Sequence, residues 1–268
     1  VRYIYHENFK NHATPNVALM YKPGKFNFRA SYAAGFRTPT LSELYATDIA
    51  KKNDRLTIGN LDLKPEKNNY FSLSAEYVHE RFSVSVNAFY NNIRDMIDYN
   101  TIATGDKAME QYGHKEVRQR DNIAEAKVHG INVSANAYLG AGFNLSGGYT
   151  HLNTQDVELE QPIDKSIKNA YNINAQWAHS WKIYRLNINL NGRINSKRFS
   201  KSYGYAPEYQ LWDLNTRHSF NLKSVIIEPG CGMENLFDYM DDRPYNSNYA
   251  TLTPGRSFYI SLSLKFKS

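Results

Sequence analysis

The sequence predicts an all-β protein, a transmembrane antiparallel β-barrel, and three features carry this prediction. First, segments of about ten residues alternate apolar and polar side chains, and a period of two is that of a β-strand. In the most regular segment, at 185–195, Leu186, Ile188 and Leu190 alternate with Arg and Asn. Second, short turns and long polar connections alternate along the chain, as in barrels. Third, the polar face is rich in Asn, Ser and Arg, which suits a water-filled interior better than a soluble β-sandwich.

Twelve segments carry this alternation and are predicted to form consecutive strands. In chain order they are 1–5, 16–22, 26–36, 69–78, 82–92, 130–139, 143–151, 171–181, 185–195, 210–222, 225–237 and 256–268. Tight turns follow every second segment, for example Pro23-Gly24-Lys25 and Gly140-Ala141-Gly142. The longer connections are predicted to be outer loops, at 8–15, 37–66, 99–122, 155–165, 199–207 and 238–255.

Aromatic side chains add detail to this prediction. Phe89 interrupts the alternation of 82–92, so it either points into the interior or marks a bulge. Tyr and Trp near strand ends predict aromatic girdles at the membrane surfaces, and the examples are Tyr171, Trp177, Trp181 and Tyr184.

Length and composition limit the number of domains and the possible partners. The 268 residues are accounted for by one barrel domain over 1–268, without a linker. No run of eighteen apolar residues that would form a transmembrane helix occurs. The net charge is +6, but Lys and Arg are scattered, so nucleic acid is not an expected partner. Cys231 is the single cysteine, which excludes an internal disulfide. The first ten residues are strand-like rather than a signal peptide, so a mature fragment is expected.

Two short motifs flank the loop at 37–66. GFRTPTLSELY at 35–45 and GNLDLKPE at 59–66 resemble two motifs of TonB-dependent outer-membrane receptors, and the resemblance extends over 1–268. Thr38 stands where the family commonly has Ala, and Leu61 stands where it commonly has Pro.

The resemblance implies a 22-stranded barrel, of which this chain is the C-terminal part. It also implies an N-terminal plug and a motif that engages the TonB complex, neither of which lies in these residues. The implied location is the outer membrane of a Gram-negative bacterium. The implied function is uptake of a scarce nutrient such as a ferric siderophore, cobalamin or haem. The expected partners are outer-membrane lipid, the plug and remaining strands, the TonB complex and that ligand.

Two other functions fit the pattern. A self-closed barrel acting as a passive pore is compatible with an even number of strands and a polar interior. A surface adhesin, or a docking barrel for a lipoprotein, is compatible with the large outer loops.

The sequence contains no catalytic or metal-binding constellation, so neither an enzyme nor a cofactor is expected. The loops instead combine aromatic rings with hydrogen-bond donors, a mixture that suits a bulky, anionic or ring-rich ligand. The candidate ligand-binding residues are Arg37, Tyr45, Arg55, Tyr112, His114, Arg118, Arg120, Tyr203, Tyr205, Tyr245 and Tyr249.

The distribution of histidines bears on the choice of ligand. Receptors of this family that take haem often place an iron-binding His between the two motifs, where this chain has none. His114, in the next loop, is the nearest substitute, acting alone or with Tyr112. The expected order is therefore an iron chelate or cobalamin first and haem second.

Overall fold

The computed structural model describes residues 1–6, 9–123, 125–200, 204–241 and 253–267. Strands dominate this part of the chain, and two short helices lie in its long loops. The elements are β1 (Arg2–His6), β2 (Lys10–Thr14), β3 (Asn16–Tyr21), β4 (Phe26–Arg37), α1 (Leu41–Tyr45), β5 (Thr47–Ala50), β6 (Arg55–Ile58), β7 (Glu66–Val78), β8 (Phe82–Arg94), β9 (Ile97–Thr104), α2 (Gly105–Tyr112), β10 (Glu116–Asn122), β11 (Ala126–Gly140), β12 (Phe143–Asp156), β13 (Asn169–Trp181), β14 (Tyr184–Asn195), β15 (Arg198–Ser200), β16 (Gly204–Ala206), β17 (Tyr209–Asn221), β18 (Val225–Glu234) and β19 (Ser257–Phe266).

The largest sheet of the described residues has eleven strands, in the order β19-β18-β17-β14-β13-β12-β11-β8-β7-β4-β3. All its pairs are antiparallel, and its neighbours follow chain order once the elements of the long loops are left out. This is the hairpin order of a barrel wall. The predicted fold class, an antiparallel β-barrel, is therefore confirmed, and the described sheet is an open portion of such a wall.

One face of this sheet is a polar surface, as the alternation predicts. The hydroxyls of Ser31 on β4 and Ser72 on β7 lie 2.6 Å apart and share a hydrogen bond. Asn174 on β13 donates its amide N–H groups to the side-chain oxygens of Asn189 and Asn191 on β14, at 2.7 and 2.6 Å. Polar side chains on this face therefore bond to one another across strands.

The opposite face is apolar and carries two rows of aromatic rings. The row near the short turns contains Phe26, Tyr77, Phe82, Trp177, Trp181, Tyr184 and Phe220. The row towards the long loops contains Tyr32, Phe71, Tyr90, Tyr149 and Tyr171. Phe71 and Tyr77 are six positions apart on β7, which corresponds to about 20 Å along the strand. The two rows have the arrangement of the predicted girdles, with a band of aliphatic side chains between them.

Phe89 lies on the polar face without a bulge. The pairing of β8 with β7 and with β11 runs unbroken through Phe89, which is opposite Ser72 and Gly130. A Cβ built on Gly130 would come 3.2 Å from the Phe89 ring and closer still to the carbonyl oxygen of His151. A side chain at position 130 would clash with the Phe89 ring and with the neighbouring backbone, so this position requires glycine.

Two details differ from the sequence-based expectations. Residues 1–5 were expected to pair with the main sheet, but β1 pairs with β2, within the segment expected to be a loop. The main sheet of the described residues consequently has eleven strands rather than twelve. It ends at β3 and β19, which do not pair with each other.

The long loops contain more regular structure than their composition indicates. The segments 37–66 and 99–122 contribute α1, α2 and a separate four-stranded sheet in the order β5-β6-β10-β9, in which β6 and β10 are parallel. The loop at 199–207 contains a small hairpin of β15 and β16. Most of the last predicted loop, 242–252, lies outside the described residues. Neither helix of the described chain is long and apolar enough to cross a membrane.

A pair of neighbouring substitutions on β14 tests the assignment of the two faces. We expect Ile188→Arg, on the apolar face, to destabilise the assembled barrel by about 2–4 kcal/mol, because it places a charge against hydrocarbon. The matched variant Asn189→Arg, on the polar face, should cost about 1 kcal/mol, because it loses one hydrogen bond from Asn174. The measurement is unfolding of the assembled barrel in urea, with the folded fraction read from the heat-dependent mobility shift of folded barrels. Equal destabilisation by the two variants would contradict the assignment.

Candidate functional site

The four-stranded sheet β5-β6-β10-β9, with α1 and α2, forms a unit beyond the aromatic row at the long-loop end, which we call the platform. Its core is small: Ala103, Ala108 and Val117 are buried, and Leu56, Ile102 and Tyr112 pack against them. Ala108 holds α2 against the sheet, since neither it nor Val117 is exposed to solvent. A core of this size stabilises the platform only modestly, so polar contacts with the barrel wall matter more.

Helix α1 begins with a capping box. Thr40 accepts a hydrogen bond from the Glu43 N–H at 3.2 Å, and Glu43 Oε2 accepts one from the Thr40 N–H at 2.8 Å. These bonds satisfy two donors at the start of the helix, which a helix of five residues needs to form at this place. The box also fixes the direction in which the Glu43 carboxylate points.

That carboxylate and Glu66 both bind Arg37, the last residue of β4. The Arg37 guanidinium donates to Glu43 at 2.8 Å, and to the two oxygens of Glu66 at 2.8 and 2.6 Å. The Glu66 carboxylate also accepts a hydrogen bond from the N–H of Ile97 at 2.8 Å. Paired, charge-assisted bonds of this kind fix geometry as well as adding energy. We call Arg37, Glu43 and Glu66 the arginine knot; it joins β4, α1, β7 and β9.

The second sequence motif, at 59–66, contacts α1 through backbone hydrogen bonds. The Gly59 N–H donates to the Ala46 carbonyl at 2.8 Å, and the Asn60 N–H donates to the Glu43 carbonyl at 3.0 Å. A Cβ on Gly59 would lie 2.5 Å from the Leu44 carbonyl oxygen, a distance that real Cβ atoms do not show. Glycine at 59 is therefore required for this close approach.

A third connection is made by Asn122 at the end of β10. Its amide donates to the carbonyl oxygens of Lys64 and Asp95 at 2.9 and 2.7 Å, and its Oδ1 accepts from the Lys64 N–H at 2.6 Å. One side chain therefore satisfies three backbone groups on two loop segments. The platform is tied to the wall at both of its ends.

Two carboxyl groups of the platform have shifted pKa values. Partial burial raises the pKa of Glu43, but the hydrogen bonds from Arg37 and Thr40 outweigh it and lower this pKa to about 2. The pKa of Asp54 lies below its ordinary value chiefly because His114 hydrogen-bonds to it, with Nδ1 2.9 Å from Oδ1.

The structure places most of the predicted ligand-binding cations against partners of the chain itself. Arg37 is held in the arginine knot, Arg118 donates to Glu116 at 2.6 Å, and His114 contacts Asp54. The Arg120 guanidinium lies 3.6 Å from the centroid of the Tyr99 ring and donates to its hydroxyl at 2.6 Å. Arg55 lies on β6 opposite Glu116, with a buried Nε that has no partner among the described residues.

The predicted aromatic residues divide into three groups. Tyr112 packs against the platform core. Tyr45 on α1 and Tyr205 on β16 are exposed, at 65% and 56%. Tyr203, Tyr245 and Tyr249 lie outside the described residues. The platform thus contains six of the predicted residues, whereas Tyr205 belongs to a different hairpin; the six are Tyr45, Arg55, Tyr112, His114, Arg118 and Arg120.

Sequence reasoning missed the carboxylates that engage the predicted cations. Glu43 had a recognisable signal, because Thr40 and Glu43 have the spacing of a capping box. Glu66, Asn122 and Tyr99 had none, since their partners lie 21 or more residues away in the sequence. No group of three or more His, Cys, Asp or Glu able to hold a metal ion is present in the described part of the chain.

Comparison with known families identifies the class of protein. The family model described as TonB dependent receptor-like, beta-barrel, matches residues 1–236. The chain belongs to this family of receptors. Members of the family are receptors and transporters rather than enzymes, in line with the expectation from the sequence.

Several solved structures share the fold at low sequence identity. A mutant of the ferric enterobactin receptor of Pseudomonas aeruginosa is 19% identical, with a TM-score of 0.76 over 99% of this chain and 41% of its own. The ferric preacinetobactin receptor BauA of Acinetobacter baumannii is 18% identical, with a TM-score of 0.67 over 96% of this chain and 36% of its own. The copper transporter OprC is 13% identical, with a TM-score of 0.71 over 93% of this chain and 38% of its own. The chain thus spans about two fifths of the length of these proteins.

Removing the arginine of the knot tests its role. We expect Arg37→Gln to destabilise the platform by about 1–3 kcal/mol, less than for a fully buried pair because the Arg37 side chain is 42% exposed. The measurement is hydrogen exchange of the 41–60 backbone in the intact receptor. The matched control is Arg118→Gln, which loses a contact to Glu116 alone. If both substitutions loosen 41–60 equally, the knot is not what holds the platform.

The shifted pKa of Glu43 predicts a dependence on acid. Because the pKa is lower in the folded platform than the ordinary value of 4.5, the stabilisation is fully present above pH 4.5 and is lost as the pH falls towards 2. We expect hydrogen-exchange protection of α1, corrected for the intrinsic pH dependence, to fall over that interval. Glu43→Gln should reduce this pH dependence and leave the part that belongs to Glu66, because burial raises the pKa of Glu66 but its hydrogen bonds from Arg37 and Ile97 lower it overall. An unchanged profile in that variant would show that Glu43 is not responsible.

Proposed function

We propose that residues 1–268 form one barrel domain, the C-terminal part of the wall of an outer-membrane receptor that takes up a scarce metal chelate. The observation that carries the proposal is the pairing of a polar inner wall with a structured extramembrane platform. An apolar band between two aromatic rows suits the hydrocarbon layer and its two interfaces. The Ser and Asn of the opposite face suit a wet lumen.

The two ends of the sheet support an orientation. Short turns at one end suit the periplasmic side, and the long loops with the platform suit the cell surface. A ligand arriving from outside would meet the platform first. The arginine knot holds the platform in a defined position relative to the barrel wall, which favours capture of a specific ligand over unselective passage.

The groups offered by the platform favour an iron chelate over haem. Tyr45 is exposed, and the Arg120 guanidinium stacked on Tyr99 presents a cation beside an aromatic ring, as suits an anionic ligand that is rich in rings. His114, the alternative haem ligand, is engaged by Asp54 and would have to leave it to bind iron. Two of the similar structures are named as receptors for ferric siderophores. We place a ferric siderophore first, cobalamin second and haem third.

The partners follow from the open sheet. Strands β3 and β19 each have one edge without a partner strand among the described residues. Unpaired edges inside lipid are costly, because each backbone N–H or C=O without a partner there costs several kcal/mol. We therefore propose that further strands of the same receptor complete a 22-stranded barrel around a plug, and that the plug engages the TonB complex. This arrangement is favoured over the self-closed pore, which requires β3 to pair with β19.

Ligand titration tests the proposal. We expect the intact receptor to bind a ferric catecholate siderophore more tightly than cobalamin or haem, as measured by quenching of tryptophan fluorescence. Arg120→Ala should weaken siderophore binding about tenfold, which corresponds to about 1.4 kcal/mol. Arg81→Ala, which removes the same charge in a short turn at the opposite end, is the control and should have no effect. Tight haem binding that is abolished by His114→Ala would reverse the proposed order of ligands.

A further inference from the structure

The inner face of the wall, which is the polar face of the main sheet, contains two sectors of different charge. Strands β8, β11, β12 and β13 are neighbours in the sheet and form the first, which we call the neutral sector. Its inward side chains are uncharged except for Asp156, the last residue of β12. Most of them are Ser, Thr, Asn or Gln. With neighbouring strands about 4.8 Å apart, the sector is about 14 Å wide from β8 to β13.

Strands β14, β17, β18 and β19 form the second sector, which we call the charged sector. Seven of its inward residues are charged, namely Arg185, Arg193, Asp213, Arg217, Glu228, Glu234 and Lys265. Glu228 binds Lys265 at 2.6 Å, and Asp213 accepts a hydrogen bond from the Asn235 N–H at 2.9 Å. The three arginines, by contrast, are exposed and make no ion pair or hydrogen bond among the described residues. The charged sector therefore has cations that lack partners.

The polar groups of the neutral sector bond to one another. The hydroxyls of Ser85 and Ser134 lie 2.7 Å apart on β8 and β11, and the Thr150 hydroxyl donates to the Asn132 amide oxygen at 2.9 Å. Hydrogen bonds from these groups to a plug can be exchanged for bonds to water at little net cost. Withdrawing an acidic partner from an arginine is more costly, because it leaves an uncompensated charge in a confined lumen.

The two sectors also differ in what their hollows offer to a solute. A hollow of about 460 Å³ in the neutral sector reaches the short turn at 79–81, and its wall side is lined by uncharged residues such as Asn136, Ser146 and Gln176. The neighbouring hollow of about 530 Å³ is lined by Arg185, Arg217 and Glu228 among others. An anionic solute would be held or repelled by those charges, whereas the neutral hollow would do neither.

We propose that the passage for the ligand opens along the neutral sector, between the plug and β8, β11, β12 and β13. The plug stays bound to the charged sector, where its acidic side chains pair with the three arginines. Uptake then requires movement of only that part of the plug which faces four strands. This inference rests on the plug and the uptake proposed above, but not on which compound is taken up.

Cysteine labelling in cells tests where the passage opens. Cys231→Ser provides the background, since a hydroxyl can keep the hydrogen bond to Thr216, and any cysteine outside 1–268 is also replaced by serine. Ser134→Cys and Asn215→Cys then place one thiol in each sector, each six positions from the short-turn end of its strand. Labelling by a sulfonated maleimide is timed during uptake of a ferric catecholate siderophore, with and without a protonophore that de-energises the TonB complex.

We expect energised uptake to accelerate labelling of Ser134→Cys at least tenfold and that of Asn215→Cys less than twofold, because only the neutral sector is uncovered. Comparing the two conditions within one variant cancels the effect of nearby arginines on the reactivity of its thiol. Equal acceleration in the two variants, greater acceleration of Asn215→Cys, or no acceleration in either would overturn the inference.

Hydrogen exchange of the plug in the purified intact receptor tests the anchor without any ligand. Combining Arg185→Gln, Arg193→Gln and Arg217→Gln should accelerate amide exchange of the plug at least tenfold. The matched control combines the same change at three exposed arginines outside the inner wall, Arg2→Gln, Arg94→Gln and Arg256→Gln, and should leave this exchange unchanged. Equal exchange in the two variants would overturn the role of the charged sector. The heat-dependent mobility shift verifies that both variants are folded.

The two experiments separate this inference from the proposed function. Uptake by the Cys231→Ser receptor, measured on the same cells, shows whether the siderophore is transported at all. If it is transported and labelling does not favour the neutral sector, the passage is wrong and the proposed uptake stands. If no siderophore enters, the exchange experiment still decides whether the charged sector holds the plug.

Discussion

The wall of this molecule depends on a continuous antiparallel ladder of backbone hydrogen bonds. Away from water each backbone N–H and C=O needs a partner, and neighbouring strands supply them from β4 through β18. Once strands pair in register, side chains at even and odd positions point to opposite faces. The polar interior, the apolar band and the aromatic rows therefore arise from one backbone geometry. The described sheet ends at β3 and β19, and each of these strands has one edge without a partner strand among the described residues.

Polar groups on the apolar face obey the same rule. The Thr216 hydroxyl and the Cys231 thiol lie 3.2 Å apart on adjacent strands and share a hydrogen bond. Nearer the short turns, the Tyr184 hydroxyl and His218 Nδ1 lie 2.7 Å apart. Pairing them avoids the cost of leaving a polar atom unsatisfied beside hydrocarbon. Asn92 is an exception, because its buried Oδ1 has no hydrogen-bond partner among the described residues.

The arginine knot fixes the position of the platform relative to the barrel wall. Arg37 and Glu66 are adjacent across β4 and β7, so strand pairing already holds them together. Glu43 joins them through the capping box of α1, and the close approach at Gly59 then brings the second motif onto the helix. Because the platform core is small, these charged contacts decide its position. The two sequence motifs therefore meet at α1 and together hold the platform on the barrel wall. This contact positions the surface that a ligand would meet.

The sequence alone determined the strands, their faces and the short turns, because a period of two follows from local backbone geometry. Leu186 and Asn187 could be assigned to opposite faces without knowing any partner strand. It did not determine that 1–5 would pair with β2, or that the segments 37–66 and 99–122 would share one sheet with parallel β6 and β10. Nor did it show that Arg37, a candidate ligand-binding residue, would meet Glu43 and Glu66. Those contacts depend on register and on loop closure between distant residues, which only the tertiary structure decides, because no local pattern encodes which charges come within 3 Å of each other.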